Sequence, residues 1–469
     1  MVSNREPYLH ETAEDGSVTA VPTTGGVSVA LDALMRERGG TWIAHGAGDA
    51  DRQVCDDGDR VRVPPDAPAY ELHRVWLTEE EERHYYGGFS NEGLWPLCHL
   101  VHVKPVFRAE DWAAYQSVNR RFAEAVASDL ADTSIPVFIQ DYHLALVARE
   151  LRALKPDART ALFWHIPFPP PDQLRMCPWR RELLEGLLAN DMLAFQLERD
   201  RRNFLAAVRE ELRLDATHGI LEVGGRTVNV VAAPIGVDFD RISSMARDPR
   251  LLVERDRLRR ELHISAPIVG IGVDRLDYTK GIPERLDAID RLLTERPALK
   301  GEMVFVQVGV PSRSKLESYA AIEQEIDARV AAINARHGRS AADGPIRYRK
   351  SALKMRRLVA LYQLADFCIV SSLHDGMNLV AKEFVAARQD ERGVLVLSEL
   401  TGAAQELKDA VIINPYDADG FTRALVRAIE MSPEEQRARM RRMRQVVAGR
   451  DVFVWASGIL DCLENASVA

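Results

Sequence analysis

The sequence predicts an α/β protein with parallel sheets, arranged as two domains. Short apolar runs typical of strands alternate with amphipathic helical stretches from one end of the chain to the other, which is the pattern of strand–helix–strand units. The chain has 469 residues, more than one hydrophobic core usually organises, so two domains are expected. We place a first domain at residues 1–236, a second at 237–450 and a final helix at 451–469.

The individual elements follow from spacing and from their end signals. Apolar residues recur at helical spacing between Val27 and Met35, and the glycines at 39 and 40 would end that helix. In the second domain Pro283 marks the start of a helix. Apolar runs predict strands in both domains, at residues 41–44, 135–139, 161–164, 268–273 and 367–370.

Composition excludes several classes of function. The formal net charge of −9 argues against nonspecific binding to nucleic acids. The sequence contains no run of about 18 apolar residues, and no basic segment followed by an apolar one opens the chain. We therefore expect no membrane span, no signal peptide and a cytoplasmic location. The five cysteines lack C-x-x-C spacing, and no histidine pattern suits a metal, so neither a disulfide framework nor a metal site is predicted.

The most informative segment is the string Asp375-Gly376-Met377-Asn378-Leu379-Val380-Ala381-Lys382-Glu383. It follows a predicted strand, and its apolar positions recur at helical spacing, so a strand leads directly into a helix. Gly376 allows a sharp turn, and the N–H groups of the first helical turn favour an anion. Glu383 lies about two turns after Asp375, where it could contact another part of an extended ligand. An isolated Asp-Gly pair is usually only a turn, so the prediction rests on the whole string.

Two further groups could bind anions. Arg275 and Lys280 are predicted to lie in the loop after the strand at 268–273, which is where open α/β sheets bind ligands. The pair could neutralise a diphosphate, and the alternative is a surface loop with ion pairs. In the first domain, Arg5 lies near the N-terminus, and the glycines at 25 and 26 start a helix whose N–H groups could meet an anion.

The remaining candidate site residues lie in an aromatic, glycine-rich segment at 85–95 and at two later positions. The segment contains Tyr86 and Trp95, and its composition suits stacking on a sugar, although such a segment is more often a packed loop. Asp141 and His165 each follow a predicted strand. A lone histidine in that position is usually a structural residue.

Taken in order, these motifs resemble those of the trehalose-6-phosphate synthase family, which are retaining glycosyltransferases. The resemblance runs from Arg5 to Glu383. It implies a glycosyltransferase-B fold, in which two Rossmann-like domains face each other across a cleft and the final helix crosses back to the first domain. It also implies UDP- or GDP-glucose as donor, glucose 6-phosphate as acceptor and α,α-trehalose 6-phosphate as product, with no metal or other cofactor. Enzymes of this size are often symmetric homo-oligomers.

The resemblance implies a role for each candidate residue. The catalytic set would be Asp141, His165, Arg275, Lys280 and Asp375. The donor would be bound by Gly26, Arg275, Lys280, Gly376, Met377, Asn378, Leu379, Val380 and Glu383. The acceptor would be bound by Arg5, Tyr86, Trp95, Asp141 and Arg313. Arg275 and Lys280 would clamp the diphosphate and stabilise its developing charge, while Asp141 and Asp375 would hold sugars rather than act as nucleophiles.

Two features depart from the family pattern. Only Met1 and Val2 precede Ser3-Asn4-Arg5, where the family has a full first strand, so we expect a shortened strand or a start upstream. Glu6 follows Arg5, where trehalose-phosphate synthases commonly have a hydrophobic residue; glucosylglycerol-phosphate synthases of the family can show Arg-Glu-Pro-Tyr. Two alternatives therefore stay open: transfer to glycerol 3-phosphate or a related acceptor, and a noncatalytic sugar-phosphate sensor.

Overall fold

The computed structural model describes residues 1–23, 25–338 and 343–465. The chain divides into two compact units: unit 1 is Met1–Ile235 with Val452–Ala469, and unit 2 is Gly236–Asp451. Gly236, where unit 2 begins, lies against the segment where it ends. A Cβ atom on Gly236 would come 2.1 Å from the carbonyl oxygen of Arg450, so only glycine allows the two ends of unit 2 to approach so closely.

Strands and helices alternate along most of unit 1. Its strands are β1 (Val2–Arg5), β2 (Tyr8–Thr12), β3 (Val18–Pro22), β4 (Thr41–His45), β5 (Arg60–Val63), β6 (Tyr70–Val75), β7 (Val137–Gln140), β8 (Thr160–Trp164), β9 (Met192–Phe195), β10 (Ile220–Val223) and β11 (Arg226–Ala232). Its α-helices are α1 (Gly26–Arg38), α2 (Asp51–Val54), α3 (Glu79–Glu81), α4 (Trp95–Cys98), α5 (Ala109–Asp129), α6 (Val147–Leu154), α7 (Pro171–Leu174), α8 (Arg180–Leu187), α9 (Glu198–Leu212) and α18 (Val452–Asn465). A π-helix spans Glu82–Leu94, and a 3-10 helix spans Tyr142–Leu144.

Unit 1 is built on a nine-stranded sheet in the order β10-β11-β9-β8-β7-β1-β4-β6-β5. Its pairs are parallel except those of β5 with β6 and β10 with β11, while β2 and β3 form a separate antiparallel hairpin. Strand β1 lies between β4 and β7. The core order β6-β4-β1-β7-β8-β9 is the doubly wound order 3-2-1-4-5-6, which places the ligand crevice at the carboxyl ends of β1 and β7.

Helix α18 completes the core of unit 1. The Trp455 ring lies 4.9 Å from that of Phe163 and 5.6 Å from that of Phe138, measured between ring centroids. These two phenylalanines belong to β8 and β7, whose residues are all buried. Parallel strands buried on both faces need such a cover, and fully burying a phenylalanine side chain contributes roughly 1.5–3 kcal/mol.

Unit 2 contains one parallel sheet flanked by helices. Its strands are β12 (Ile268–Arg275), β13 (Met303–Val310), β14 (Ile346–Arg349), β15 (Phe367–Val370), β16 (Val394–Ser398) and β17 (Val411–Ile413). Its α-helices are α10 (Phe239–Arg247), α11 (Arg250–Glu261), α12 (Ile282–Glu295), α13 (Glu317–His337), α14 (Met355–Leu364), α15 (Leu379–Ala387), α16 (Ala418–Glu430) and α17 (Pro433–Ala448).

The six strands of unit 2 follow the order β14-β13-β12-β15-β16-β17 and are all parallel. Numbered within the unit, this is again 3-2-1-4-5-6, with the switch point between β12 and β15. The prediction of an α/β fold with two Rossmann-like domains is confirmed.

Two predicted strand limits were wrong by two residues. Strand β12 runs on to Arg275, which pairs with Val310, so Arg275 ends the strand and does not lie in the following loop. Strand β7 begins at Val137 rather than at residue 135, because Pro136 has no N–H group to donate to a neighbouring strand.

Within the described residues, no helix combines the length and the apolar character that a membrane span requires. The same residues contain no cluster of three His, Cys, Asp or Glu side chains suited to a metal ion. All five cysteines are free thiols.

Candidate active site

The switch point of unit 2 brings two predicted residues into direct contact. Lys280 follows β12 and Asp375 follows β15, and Lys280 Nζ donates a hydrogen bond to Asp375 Oδ2 at 2.6 Å. The same oxygen accepts hydrogen bonds from Ser372 Oγ and Asn378 Nδ2, each at 3.2 Å. The carboxylate is therefore held in one orientation beside a cation.

The turn between Asp375 and α15 is shaped by local contacts. Asn378 has a φ of 87°, a left-handed conformation that asparagine tolerates, and its side chain accepts a hydrogen bond from the N–H of Ala381 at 3.2 Å. The carbonyl of Met377 accepts from Ala403 N–H at 2.8 Å, which fixes Gly376 and Met377 against a neighbouring turn. Leu379 and Val380 form the first turn of α15, whose positive end favours an anionic ligand.

Glu383 lies further along α15 and is buried, with 5% of its surface exposed. Its Oε2 accepts a hydrogen bond from the Tyr362 hydroxyl at 2.9 Å. Burial raises the pKa of Glu383 to about 7. A contact between this carboxylate and a ribose, which the resemblance implies, stays a prediction.

Asp277, which the sequence motifs did not single out, lies among three cations. It is fully buried, and its Oδ2 is 3.6 Å from Arg313 Nη1 and 4.0 Å from Arg275 Nη2. Its Oδ1 accepts hydrogen bonds from the N–H and the hydroxyl of Thr279, both at 2.9 Å. Burial acts to raise the pKa of Asp277, but the charges of Arg275, Arg313 and Lys280 outweigh it and lower that pKa.

The two arginines differ in exposure. The side chain of Arg275 is 32% exposed and can reach a ligand in solution. The side chain of Arg313 is buried, and its Nη1 donates to the Tyr319 hydroxyl at 2.5 Å. Asp277 and Tyr319 together therefore fix the position of the Arg313 guanidinium.

A buried hydrogen-bond network supports the strands that carry these residues. Arg285, which is fully buried, donates to Asp274 at 2.5 Å, to Gln307 at 2.9 Å and to the Ser371 hydroxyl at 3.0 Å. These partners belong to or directly follow β12, β13 and β15. The Arg285 guanidinium therefore connects the three strands by hydrogen bonds. A Cβ on Gly272 would come 2.2 Å from Arg285, so this glycine makes room for the arginine.

In unit 1, the predicted acceptor residues come together at the switch point between β1 and β7. Arg5 Nη2 donates to the Tyr86 hydroxyl at 2.9 Å. The Tyr86 ring stacks on His143 with 5.6 Å between ring centroids. The Trp95 ring lies 6.0 Å from that of Tyr142. A cation, a phenol and a buried indole thus surround the residues that follow β7.

Asp141 and His165 are joined by a hydrogen bond between the ends of β7 and β8. Asp141 Oδ1 accepts from the His165 N–H at 3.0 Å. His165 Nε2 lies 2.9 Å from the Gln140 side-chain carbonyl, and because that oxygen can only accept, Nε2 carries the proton. Burial lowers the pKa of His165 to about 3, so the imidazole is neutral near pH 7 and cannot act there as a charged acid.

This neutral histidine predicts a pH dependence of stability. The unfolded chain binds a proton at His165 below about pH 6.5, whereas the folded chain does not until about pH 3. Between these values the free energy of unfolding should fall as the pH falls, by up to about 1.4 kcal/mol per pH unit. Urea unfolding from pH 7 to pH 5 should show a shallower slope for His165→Gln than for wild type. The exposed His218 provides the control His218→Gln, and equal slopes for all three proteins would contradict the prediction.

The segment at 85–95, whose composition alone favours a packed loop, is helical: it lies in the π-helix Glu82–Leu94, and Trp95 begins α4. A Cβ on Gly88 would lie 2.4 Å from the Asp111 carboxyl carbon, so this glycine allows close packing rather than flexibility. The Tyr85 hydroxyl donates to Asn4 Oδ1 at 2.9 Å. The next residues of the two segments, Tyr86 and Arg5, form the neighbouring hydrogen bond. π-Helical turns occur frequently at functional sites.

Gly26 and Arg313 each lie in a different unit from the other residues predicted to bind the same substrate. Gly26 begins α1 in unit 1, where Gly25 is the N-cap and the first turn contains no acidic residue, so this helix end also suits an anion. The other predicted donor residues lie in unit 2. Arg313 lies in unit 2, whereas the other predicted acceptor residues lie in unit 1.

Glu6, the departure from the family pattern, points into the interior of unit 1. It is 1% exposed, and its carboxylate accepts from Arg74 Nε and from the N–H of Ala47, each at 2.8 Å. Arg74 also pairs with Asp51 at 2.7 Å. Burial raises the pKa of Glu6 to about 8, although the charge of Arg74 acts in the opposite direction. A buried arginine therefore explains why a carboxylate stands at this position.

Comparison with known proteins identifies the family of this chain. The model of glycosyltransferase family 20 matches residues 1–465. The trehalose-6-phosphate synthase of Mycolicibacterium smegmatis is 40% identical over 474 residues, covering 99% of this chain and 92% of the relative. An α,α-trehalose-phosphate synthase (UDP-forming) from Burkholderia xenovorans, solved with glucose-6-phosphate, has a TM-score of 0.87 and 33% identity, covering 99% of both chains. An E. coli structure bound with UDP-2-fluoro glucose has a TM-score of 0.86 and 31% identity, covering 99% of this chain and 98% of that chain.

The family match extends over almost the whole sequence, and the chain has charged groups at the switch points of both Rossmann-like units. The chain belongs to glycosyltransferase family 20 and is a glycosyltransferase of the α,α-trehalose-phosphate synthase type.

Proposed function

We propose that the protein transfers glucose from UDP-glucose to glucose 6-phosphate with retention of configuration, giving α,α-trehalose 6-phosphate. The observation that carries the proposal is the cluster of Arg275, Lys280 and Asp375 at the switch point of unit 2, where Lys280 and Asp375 are 2.6 Å apart. A UDP donor is supported by the UDP-forming enzyme and the UDP-sugar complex among the similar structures. Glucose 6-phosphate as acceptor is supported by the Burkholderia xenovorans complex.

The proposed chemistry depends on cations rather than on a nucleophilic carboxylate. As the bond between glucose C1 and the diphosphate oxygen breaks, Arg275 and Lys280 stabilise the negative charge that develops on the leaving group. A hydroxyl of the acceptor attacks C1 from the same face, and its proton passes to the leaving phosphate oxygen. Asp375 already accepts hydrogen bonds from Lys280 and Asn378, which suits a sugar-binding carboxylate better than a nucleophile. We propose that no metal is required, because the two side-chain cations supply the positive charge.

The state of His165 supports this route for the proton. Its pKa of about 3 leaves it neutral at pH 7, and its Nε2 proton is directed at Gln140. A neutral, buried imidazole is poorly suited to donate or accept the transferred proton. In the proposed mechanism His165 therefore contributes through its position beside Asp141.

In unit 1 the acceptor phosphate would be bound by Arg5 and Tyr86. Arg313, in unit 2, is the further acceptor residue that the resemblance implies. The sequence feature that suggested glycerol 3-phosphate was Glu6, but Glu6 is buried against Arg74. That residue therefore gives no support to a different acceptor, and glucose 6-phosphate is the better-supported choice.

The function is tested by product formation with purified protein. UDP-, GDP- and ADP-glucose are each supplied with glucose 6-phosphate or glycerol 3-phosphate, with and without EDTA, and Arg275→Ala is the control. Trehalose 6-phosphate from UDP-glucose, unaffected by EDTA and lost in the variant, is the expected result. Glucosylglycerol phosphate as the main product would overturn the acceptor assignment, and donor binding without any product would indicate a sensor.

The acceptor site gives a second prediction, for Tyr86→Phe. This change removes only the hydroxyl that Arg5 contacts. We expect KM for glucose 6-phosphate to rise about three- to tenfold, with little change in kcat or in KM for UDP-glucose. The exposed Tyr416 provides the control Tyr416→Phe. A fall in kcat with an unchanged KM for the acceptor would count against a phosphate contact.

A further inference from the structure

One carboxylate oxygen of Asp277 lies close both to a residue assigned to the donor and to a residue assigned to the acceptor. Its Oδ2 is 4.0 Å from Arg275, assigned to the donor diphosphate, and 3.6 Å from Arg313, assigned to the acceptor phosphate. Its Oδ1 is fixed by two hydrogen bonds from Thr279. Because one oxygen is held in place, the carboxyl group cannot turn, and the other oxygen stays directed at the two arginines.

The repulsion between the positive charges of Arg275 and Arg313 makes the Asp277 carboxylate necessary. Two guanidinium groups near one buried atom repel each other, and the repulsion is stronger where water is excluded. The Asp277 carboxylate, placed within 4.0 Å of both, offsets that repulsion and lets both cations stay close. Asp277 is fully buried, and its oxygens face Thr279 and the surrounding cations, so it acts on the substrates through Arg275, Arg313 and Lys280.

We infer that Asp277 is a positioning residue that holds Arg275 and Arg313 as a pair, so that one carboxylate sets the geometry of both the donor clamp and the acceptor-phosphate cation. This inference rests on the proposed function. It makes a specific claim about kinetics: loss of the Asp277 charge impairs binding of both substrates at once, whereas loss of either arginine acts mainly on one of them.

The test compares Asp277→Asn, Arg313→Ala and the double variant in the full chain. Asp277→Asn should raise KM about tenfold for UDP-glucose and about tenfold for glucose 6-phosphate, whereas Arg313→Ala should raise only the acceptor KM. In the Arg313→Ala background, Asp277→Asn should still raise the donor KM but should add nothing to the acceptor KM, because Asp277 acts on the acceptor only through Arg313. A further rise in the acceptor KM of the double variant would overturn the inference.

Asp129→Asn is the matched control that distinguishes a structural role. Asp129 is also a largely buried carboxylate paired with a basic side chain, His73 at 2.8 Å, but it ends α5 in unit 1 and lies outside the cation cluster of unit 2, so we expect a lower melting temperature with both KM values unchanged. If Asp277→Asn behaves like this control, with wild-type KM values and a smaller active fraction, the inference is wrong.

A binding measurement separates this inference from the proposed function. If the wild type makes no product from glucose 6-phosphate, the function fails, and calorimetry with UDP alone then tests Asp277. Binding of UDP about tenfold weaker in Asp277→Asn than in wild type or Asp129→Asn supports the inference. Equal affinities overturn it.

Discussion

Lys280→Met is expected to lower kcat about 100- to 1,000-fold, the range seen when one preorganised donor to a developing negative charge is removed. Methionine keeps most of the apolar stem of lysine but not its charge. The variant loses a cation beside the leaving diphosphate and also the 2.6 Å hydrogen bond that orients Asp375. Steady-state kinetics with UDP-glucose and glucose 6-phosphate measures the effect, and KM for the donor should rise as well.

The matched control for this experiment is Lys300→Met, which removes an exposed lysine from the same unit. It should leave kcat within about twofold of wild type, since surface substitutions away from a site have small effects. A kcat for Lys280→Met within threefold of that control would remove Lys280 from the catalytic set.

The largest expected effect on stability is that of Arg74→Leu. Arg74 is fully buried and pairs with both Glu6 and Asp51. Removing one partner of a buried ion pair leaves the other charge uncompensated, which costs about 3–5 kcal/mol. Urea unfolding followed by tryptophan fluorescence should show an earlier transition for this variant, while Arg62→Leu, on the exposed side of β5, should stay within about 0.5 kcal/mol of wild type.

A double variant identifies the cause of that loss. Asp51→Asn combined with Arg74→Leu removes the buried charge of Asp51 together with its cation, so no uncompensated charge is left. The double variant should therefore be more stable than Arg74→Leu alone. If it is equally unstable, the uncompensated charge of Asp51 is not the reason, and the packing around Arg74 is.

The sequence predicted those parts of the site that depend on local pattern. Apolar runs located the strands that precede Arg275 and Asp375, and neighbouring parallel strands bring their carboxyl ends to one edge of a sheet. The contact between Lys280 and Asp375 follows from that arrangement. The exact end of β12 could not be predicted in this way, because Arg275 extends the strand by pairing with Val310 and not by being apolar.

Features that depend on distant partners were not predictable. Asp277 stands between two recognised cations in the sequence, but its importance appears only when Arg313, in a later loop, comes within 3.6 Å. The π-helix contains glycines that favour a loop by composition, yet Gly88 is there because Asp111 packs against it. Glu6 looked like a difference in specificity until Arg74 was found beside it.

The contact between Gly236 and Arg450 has a consequence for how the molecule is made. Unit 2 is one uninterrupted stretch whose ends touch, so all of it has been synthesised before any residue of α18 emerges from the ribosome. Unit 1 is begun first but lacks its last helix until then. During that interval the rings of Phe138 and Phe163 lack the cover that Trp455 provides. The half of the protein that is translated first is thus the last to be completed, and a released chain that ends before residue 452 contains all of unit 2 but leaves unit 1 without its last helix.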